Sequence, residues 1–407
     1  MTLVREGRRS ALRRCAGLVL AALVLVACSP GPAWTATSTV GASPSVGPVT
    51  VPGDRNSFVT AEGTSFRIDG DDFRFVGVNI YDAAATDRYS CNAGIRMSDE
   101  ELTSTLRTLR DQAGVSVLRF WAYQTYTQGG TDFSGIDRVI RIARDLDLRV
   151  LPVLEDGPGD CTTSSDRQPK AEYRDDTWFS DGYRVPYGNA SMSYRDYVRA
   201  VTGHYANEPT ILGWSMINEA DTSARDAAGR SILVSFTRDI AGVIRQVDAN
   251  HLITLGTQSN GAPGASGPDF RAVYSLPEVD FSEVHDWGYW GADDEAIPGG
   301  DGSAPPDPDS AECGELDAPI GCSFAIAPLL AKPLVVGEAG IHGRDADERA
   351  VRASQLGAKM SAAFAAGAAG YLVWHVSTAP TDGYDVLVDQ DDPLFAVLHR
   401  TAAQISG

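Results

Sequence analysis

From residue 73 onward, short apolar runs alternate with stretches whose apolar residues recur every three to four positions. FRFVGVNIY (73–81), VSVLRFWAY (115–123), RVLPVLED (149–156) and ILGWSMINEA (211–220) read as strands. HLITLGTQS (251–259), VDFSEVHDW (279–287), PLVVGEAG (333–340) and GYLVWHVS (370–377) read the same way. Helical periodicity fills the gaps near 97–114, 134–147, 192–206, 223–248, 268–275, 322–330, 345–366 and 393–405. The first of these carries its own start and stop signals: Ser98 as N-cap, Glu101 three residues on, and Gly114 at the end. Strands that are almost wholly apolar belong to a parallel sheet covered by helices. Eight strand–helix pairs close most economically as a (β/α)₈ TIM barrel. The competing open doubly wound sheet would want a Gly-rich phosphate loop after an early strand, and the sequence has none. Ahead of the barrel, FVTAEGTSFRIDGDDFRF (58–75) alternates around two turn signals, which predicts a short β-hairpin against the barrel's N-terminal end.

The first 56 residues carry no such pattern. Five arginines precede the apolar run CAGLVLAALVLVA (15–27), which is short for a membrane span. The run ends in Leu25-Val26-Ala27-Cys28, which resembles a bacterial lipobox, so residues 1–27 are expected to leave as a signal peptide and Cys28 to be lipidated. An ordinary cleaved signal is the alternative. Residues 28–56, rich in Ser, Pro, Gly and Thr, read as a disordered tether, and 57–407 as one catalytic-size domain. The protein is therefore expected outside the cell, held to the membrane by its lipid or secreted. Export permits disulfides among the four remaining cysteines, and three pairings are possible. Cys313–Cys322, which closes a short loop, and Cys91–Cys161 are favoured over zinc binding, for which no C-x-x-C spacing is present. Loss of residues 1–27 removes five arginines and one glutamate, taking the net charge from −20 to −24. Such a chain is a poor nucleic-acid partner and suits a neutral substrate. A monomer is expected.

In a barrel of this kind, function sits where strands run into the following loops. WSMINEAD (214–221) and KPLVVGEAG (332–340) each deliver an acid to a strand tip, Glu219 beside Asn218 in the first and Glu338 in the second. Other tips offer Arg119, Trp121 and Tyr123, Glu155 and Asp156, His285, Asp286 and Trp287 with Tyr289 and Trp290 beyond, and Trp374 with His375. No set of metal ligands converges in an obvious spacing, no G-x-S-x-G supplies a serine nucleophile, and no cofactor motif appears. Paired carboxyls with aromatic rings are the requirements of glycoside hydrolysis, where one carboxyl donates a proton and the other attacks the anomeric carbon.

These strand ends resemble clan A of the glycoside hydrolases, and family 5 most. The resemblance spans the barrel and implies that Glu219 is the acid/base and Glu338 the nucleophile. It further implies that Arg119, Asn218, His285 and Trp374 bind substrate or hold the acids, with Trp121, Trp287 and Tyr289 as additional sugar contacts. The family usually has Tyr two residues after the strand-six His. Here Trp287 stands there, offering an indole N–H instead of a hydroxyl, with Tyr289 as a substitute. YRDYVRAVTGHYANEPTILGWSMINEAD (194–221) resembles the endo-β-mannanase-type members. The implied substrate is a β-1,4-linked polysaccharide such as mannan, with endo-β-glucanase, exo-acting β-glycosidase and a non-catalytic sugar-binding lipoprotein as rivals. Beside these readings stand blander ones. Trp121, Trp287 and Trp374 could be partly buried packing and Arg119 a structural ion-pair partner. Glu155 and Asp156 read as loop carboxylates or sugar-hydroxyl ligands. Trp214, His204 and His251 read as structural, and the acidic stretch 291–312 as a mobile flap sooner than a calcium loop.

Overall fold

A computed structural model describes residues 54–406 apart from 160, 162–173, 188–189, 288–295 and 389–390. The signal-peptide segment, Cys28, most of the tether, Tyr289 and the start of the 291–312 stretch lie outside the described residues.

The barrel strands are β4 (Phe75–Asn79), β5 (Val117–Trp121), β6 (Arg149–Val153), β7 (Gly213–Ser215), β8 (Leu252–Thr254), β9 (Ser282–Asp286), β10 (Leu334–Ala339) and β11 (Gly370–Val373). Every ladder between them is parallel, in the order β8-β7-β6-β5-β4-β11-β10-β9. The remaining seam, between β8 and β9, is stitched by single bonds: the Asp280 N–H donates to the Ile253 carbonyl at 2.8 Å and the His285 N–H to the Gln258 carbonyl at 3.0 Å. The result is the (β/α)₈ barrel that the apolar runs predict, its strands shorter than those runs because their ends turn into loops.

Nine α-helices are described: α1 (Asp99–Ala113), α2 (Ser134–Asp145), α3 (Asp176–Ser180), α4 (Tyr194–His204), α5 (Ile232–Val247), α6 (Gly267–Tyr274), α7 (Ile320–Ile326), α8 (Ala346–Ala365) and α9 (Leu394–Ile405). Helix α1 begins with the predicted capping box, Ser98 and Glu101 exchanging side-chain-to-backbone bonds, and ends at Gly114 in the left-handed region. Helix α5 starts nine residues later than its apolar pattern suggests, because 221–231 form an irregular loop ending in the Ser231 cap.

The N-terminal segment has three antiparallel strands, β1 (Thr60–Glu62), β2 (Ser65–Ile68) and β3 (Asp71–Phe73), one more than a simple hairpin. Their apolar faces plug the barrel's lower end. Val59, Phe66, Ile68 and Phe73 form one buried cluster with Phe75, Val117, Leu212, Leu252, Phe281 and Ala369, residues at the starts of the barrel strands. That end is sealed by hydrocarbon, so polar chemistry is confined to the other.

Both favoured cysteine pairs come together, each with Cα atoms 5.3 Å apart: Cys91 with Cys161, and Cys313 with Cys322. Cys91 and Cys161 lie in the loops after β4 and β6, so their link ties two loops on the strand-end side of the barrel. No described helix is long and apolar enough to cross a membrane.

Candidate active site

At the centre of the strand-end face lies Arg119, fully buried on β5. Its guanidinium donates to Glu338 Oε1 at 2.6 Å, Asn218 Oδ1 at 2.8 Å, Glu283 Oε1 at 3.1 Å and Asn79 Oδ1 at 3.1 Å. Burial opposes its charge, but Glu283 and Glu338 outweigh that and hold it firmly protonated. The planar fork with several donors explains why arginine stands here and lysine would not serve.

His285, on β9 and equally buried, joins the acids. Its Nδ1 lies 2.9 Å from Glu219 Oε1 and 3.5 Å from Glu338 Oε2, and its Nε2 lies 3.4 Å from Glu283 Oε1. Burial alone would lower the imidazole pKa. Glu338, Glu219 and Glu283 reverse this and push it up to about 9. Glu283 is held low: burial works against its charge, but Arg119 and His285 prevail, and Ser215 Oγ donates to its second oxygen at 2.8 Å. Glu338 is pushed up, first by burial and also by Glu219, with His285 and Arg119 pulling against both. Arg119 and a protonated His285 thus balance two carboxylates.

The backbone sets these positions. Between Val336 and Glu338 the β10–β9 register slips, a bulge that places Glu338 opposite His285. Gly337 sits at the slip, and a Cβ there would stand 2.3 Å from Glu283 Oε1 and 2.9 Å from His285 Nε2. Glu219 adopts a left-handed φ of 54°, a costly conformation for a residue other than glycine and one that clusters at functional sites. An oxygen of Glu219, an oxygen of Glu338 and a ring nitrogen of His285 all lie within 4.8 Å of one another.

Trp287 donates its indole N–H to Glu338 Oε2 at 3.2 Å, where the family resemblance expects a tyrosine hydroxyl. Trp374 stacks on Tyr81 at 5.4 Å between ring centres and lies 6.0 Å from Trp287 and 5.9 Å from Trp121. Trp121 is buried and stacks on Tyr123 at 5.0 Å, yet its indole N–H and the Tyr123 hydroxyl find no hydrogen-bond partner among the described residues.

The structure thus brings together Glu219, Glu338, Arg119, Asn218, His285, Trp287, Trp374 and Trp121, while Tyr289 lies outside the described residues. Two participants escaped the sequence reading: Asn79 and Glu283. Glu283 was findable, because it precedes His285 by two residues in one strand and so shares its face. One expectation is corrected. Glu155 and Asp156 are buried, Glu155 facing Arg174 at 3.3 Å and Asp156 accepting from the Cys161 N–H at 2.8 Å. They are not solvated loop acids. Trp214 and His251 are structural as read, both bonded to Asp248 at 2.7 Å.

A (β/α)₈ barrel whose mouth holds two facing carboxyls, fixed by arginine and histidine and walled by tryptophan, has the architecture of the glycoside hydrolases that work with a carboxyl pair. The comparisons with known proteins narrow this. Residues 188–364 match the family model described as GH family 5 beta-mannosidase-like. The probable mannan endo-1,4-beta-mannosidase C of Aspergillus terreus is 25% identical over 284 residues, covering 57% of this chain and 65% of that protein. Mannan endo-1,4-beta-mannosidase 1 of Oryza sativa subsp. japonica is 25% identical over 335 residues, covering 72% of this chain and 71% of that protein. The chain spans less than two thirds of the length of the fungal relatives it matches, 58% for mannan endo-1,4-beta-mannosidase F of Aspergillus fumigatus. Among solved structures, the endo-1,4-beta-mannanase from Rhizomucor miehei shares the fold at a TM-score of 0.60 and 17% identity, covering 86% of this chain and all of that one. Over residues 188–364 the chain is thus similar to glycoside hydrolase family 5.

Proposed function

We propose that this protein is a retaining β-glycoside hydrolase acting on β-1,4-mannan-type polysaccharide. One observation carries the mechanism: oxygens of Glu219 and Glu338 lie within 4.8 Å of each other. Retaining enzymes hold their carboxyls about 5–5.5 Å apart, whereas inverting ones need roughly 6.5–9.5 Å to seat a water between them. In the first step Glu338 attacks the anomeric carbon while Glu219 gives its proton to the departing oxygen. In the second, Glu219 takes a proton from water, which releases the sugar from Glu338. Arg119 and Trp287 donate to Glu338 and the His285 imidazole lies 3.5 Å from it; Arg119 and His285 pull against the burial and the Glu219 charge that push its pKa up. Asn218 spends its amide oxygen on Arg119, leaving its N–H₂ to donate to the sugar 2-hydroxyl. Trp374 offers a stacking face, and the donors of Trp121 and Tyr123, which have no partner among the described residues, are placed to meet sugar hydroxyls.

Mannan as substrate rests on the relatives' names, mannan endo-1,4-beta-mannosidases from fungi and rice. A second reading, exo-acting β-mannosidase, is favoured by the family model's own description. Digestion of mannohexaose followed by proton NMR tests both readings. The first-formed product should be the β-anomer. A ladder of oligosaccharides indicates endo action, and mannose alone indicates exo action. An α-anomer as first product would refute the retaining mechanism, and no cleavage of mannan, glucomannan or manno-oligosaccharides would refute the substrate. Export with a lipid on Cys28 completes the proposal and rests on the lipobox-like Leu25–Cys28.

A further inference from the structure

Beyond the carboxyl pair, one cluster of metal-ligating side chains stands among the described residues and has no part in the mechanism. His375, directly after Trp374, is fully buried, and neither of its ring nitrogens makes a hydrogen bond among the described residues. Its Nε2 faces two carboxylates from the following loop, Asp385 Oδ1 at 3.5 Å and Asp382 Oδ1 at 3.6 Å. Donor atoms of all three residues lie within 4.8 Å of one another. A proton shared between imidazole and carboxylate would draw the atoms to about 2.7–3.2 Å. Separations of 3.5 and 3.6 Å are too long for that. They suit two donors that share one ion at roughly 2.0–2.2 Å from each, in near-tetrahedral array.

We propose that His375, Asp382 and Asp385 bind a divalent transition-metal ion of the zinc class. One imidazole with two carboxylate oxygens suits zinc over calcium, which prefers oxygen alone. The outer contacts of a metal site are in place. Ser377 Oγ and Thr381 Oγ1 donate to Asp385 Oδ1 at 3.0 and 2.7 Å, and the N–H groups of Thr381 and Gly383 donate to its other oxygen at 2.8 and 3.1 Å. Arg352, buried on α8, donates to the carbonyls of Tyr384 and Asp385 and so fixes the loop from behind. Asp382, with half its side chain exposed, gives the ion an entry path. The ion's place explains its use. Tyr384, between the two acids, packs edge-on against Trp287 at 5.1 Å, and Trp287 in turn donates to Glu338. An ion tying His375 to this loop would brace the wall that Trp374, Tyr384 and Trp287 form beside the reacting centre.

Calorimetric titration of the chelator-treated full chain with zinc tests the proposal. Wild type and Glu338→Gln should each bind one equivalent, and zinc should raise the thermal midpoint of both. Asp382→Asn should weaken binding at least tenfold and lose the thermal shift. Glu338→Gln is needed because Glu219, His285 and Glu338 also lie close enough to hold an ion. Absence of zinc binding in the wild type, binding lost in Glu338→Gln, or binding unchanged in Asp382→Asn would each overturn the proposal. Should Asp382→Asn not fold, zinc-edge anomalous diffraction from wild-type crystals decides: a peak among the three side chains supports the site, and its absence there refutes it.

Discussion

His285 shows how one buried residue ties the site's chemistry to the protein's stability. With no exposed surface it should resist charging, yet three carboxylates raise its pKa to about 9, well above the ordinary value near 6.5. The folded protein therefore holds this proton more tightly than the unfolded chain does. The resulting stabilisation is fully present below about pH 6.5 and is lost as pH rises from there through about 9. Urea unfolding at pH 6, 7.5 and 9 checks this. The stability lead of the wild type over His285→Gln should shrink as pH rises, and a lead that stays constant or grows would show that the imidazole is not held protonated.

At the scale of elements, the loops after β7 and β8 meet through glycine. Gly256 has a φ of +85°, and a Cβ there would lie 1.9 Å from the Ile217 carbonyl oxygen, one residue before Asn218. Gly256→Ala combines backbone strain with overpacking, so it should cost about 3 kcal/mol in chemical denaturation. It should also displace Asn218 and Glu219 and depress activity. This packing also marks the boundary of what the sequence discloses. Eight apolar runs were enough for the barrel, because a strand buried on both faces must be apolar along its length. The acids Glu219 and Glu338 were legible because a carboxylate ending such a run needs a reason. Glu283 was harder to see, since a charge within a buried strand is tolerated only beside Arg119, and that pairing joins residues 164 positions apart. The indole bond from Trp287 to Glu338 depends on ring orientation, and the cluster of His375 with Asp382 and Asp385 on the path of a loop. Neither is written in local periodicity.

Across the whole molecule, the lower end of the barrel is plugged by phenylalanines and valines and the upper end gathers the charge, so activity depends on the division of labour between two acids in one mouth. It is tested most directly with Glu219→Ala and Glu338→Ala in an activated aryl β-mannoside assay with added azide. Such a leaving group departs without a proton, so Glu219→Ala should still form the glycosyl-enzyme but hydrolyse it about 10²–10⁴-fold more slowly, for lack of a base. Azide needs no base and should restore turnover, giving the β-glycosyl azide. Glu338→Ala cannot form the intermediate, and azide in the vacated space should give only the α-product. β-Azide from Glu338→Ala with α-azide from Glu219→Ala would mean the two roles are exchanged. Near wild-type activity in both variants would contradict the assignment of this pair as the reacting centre.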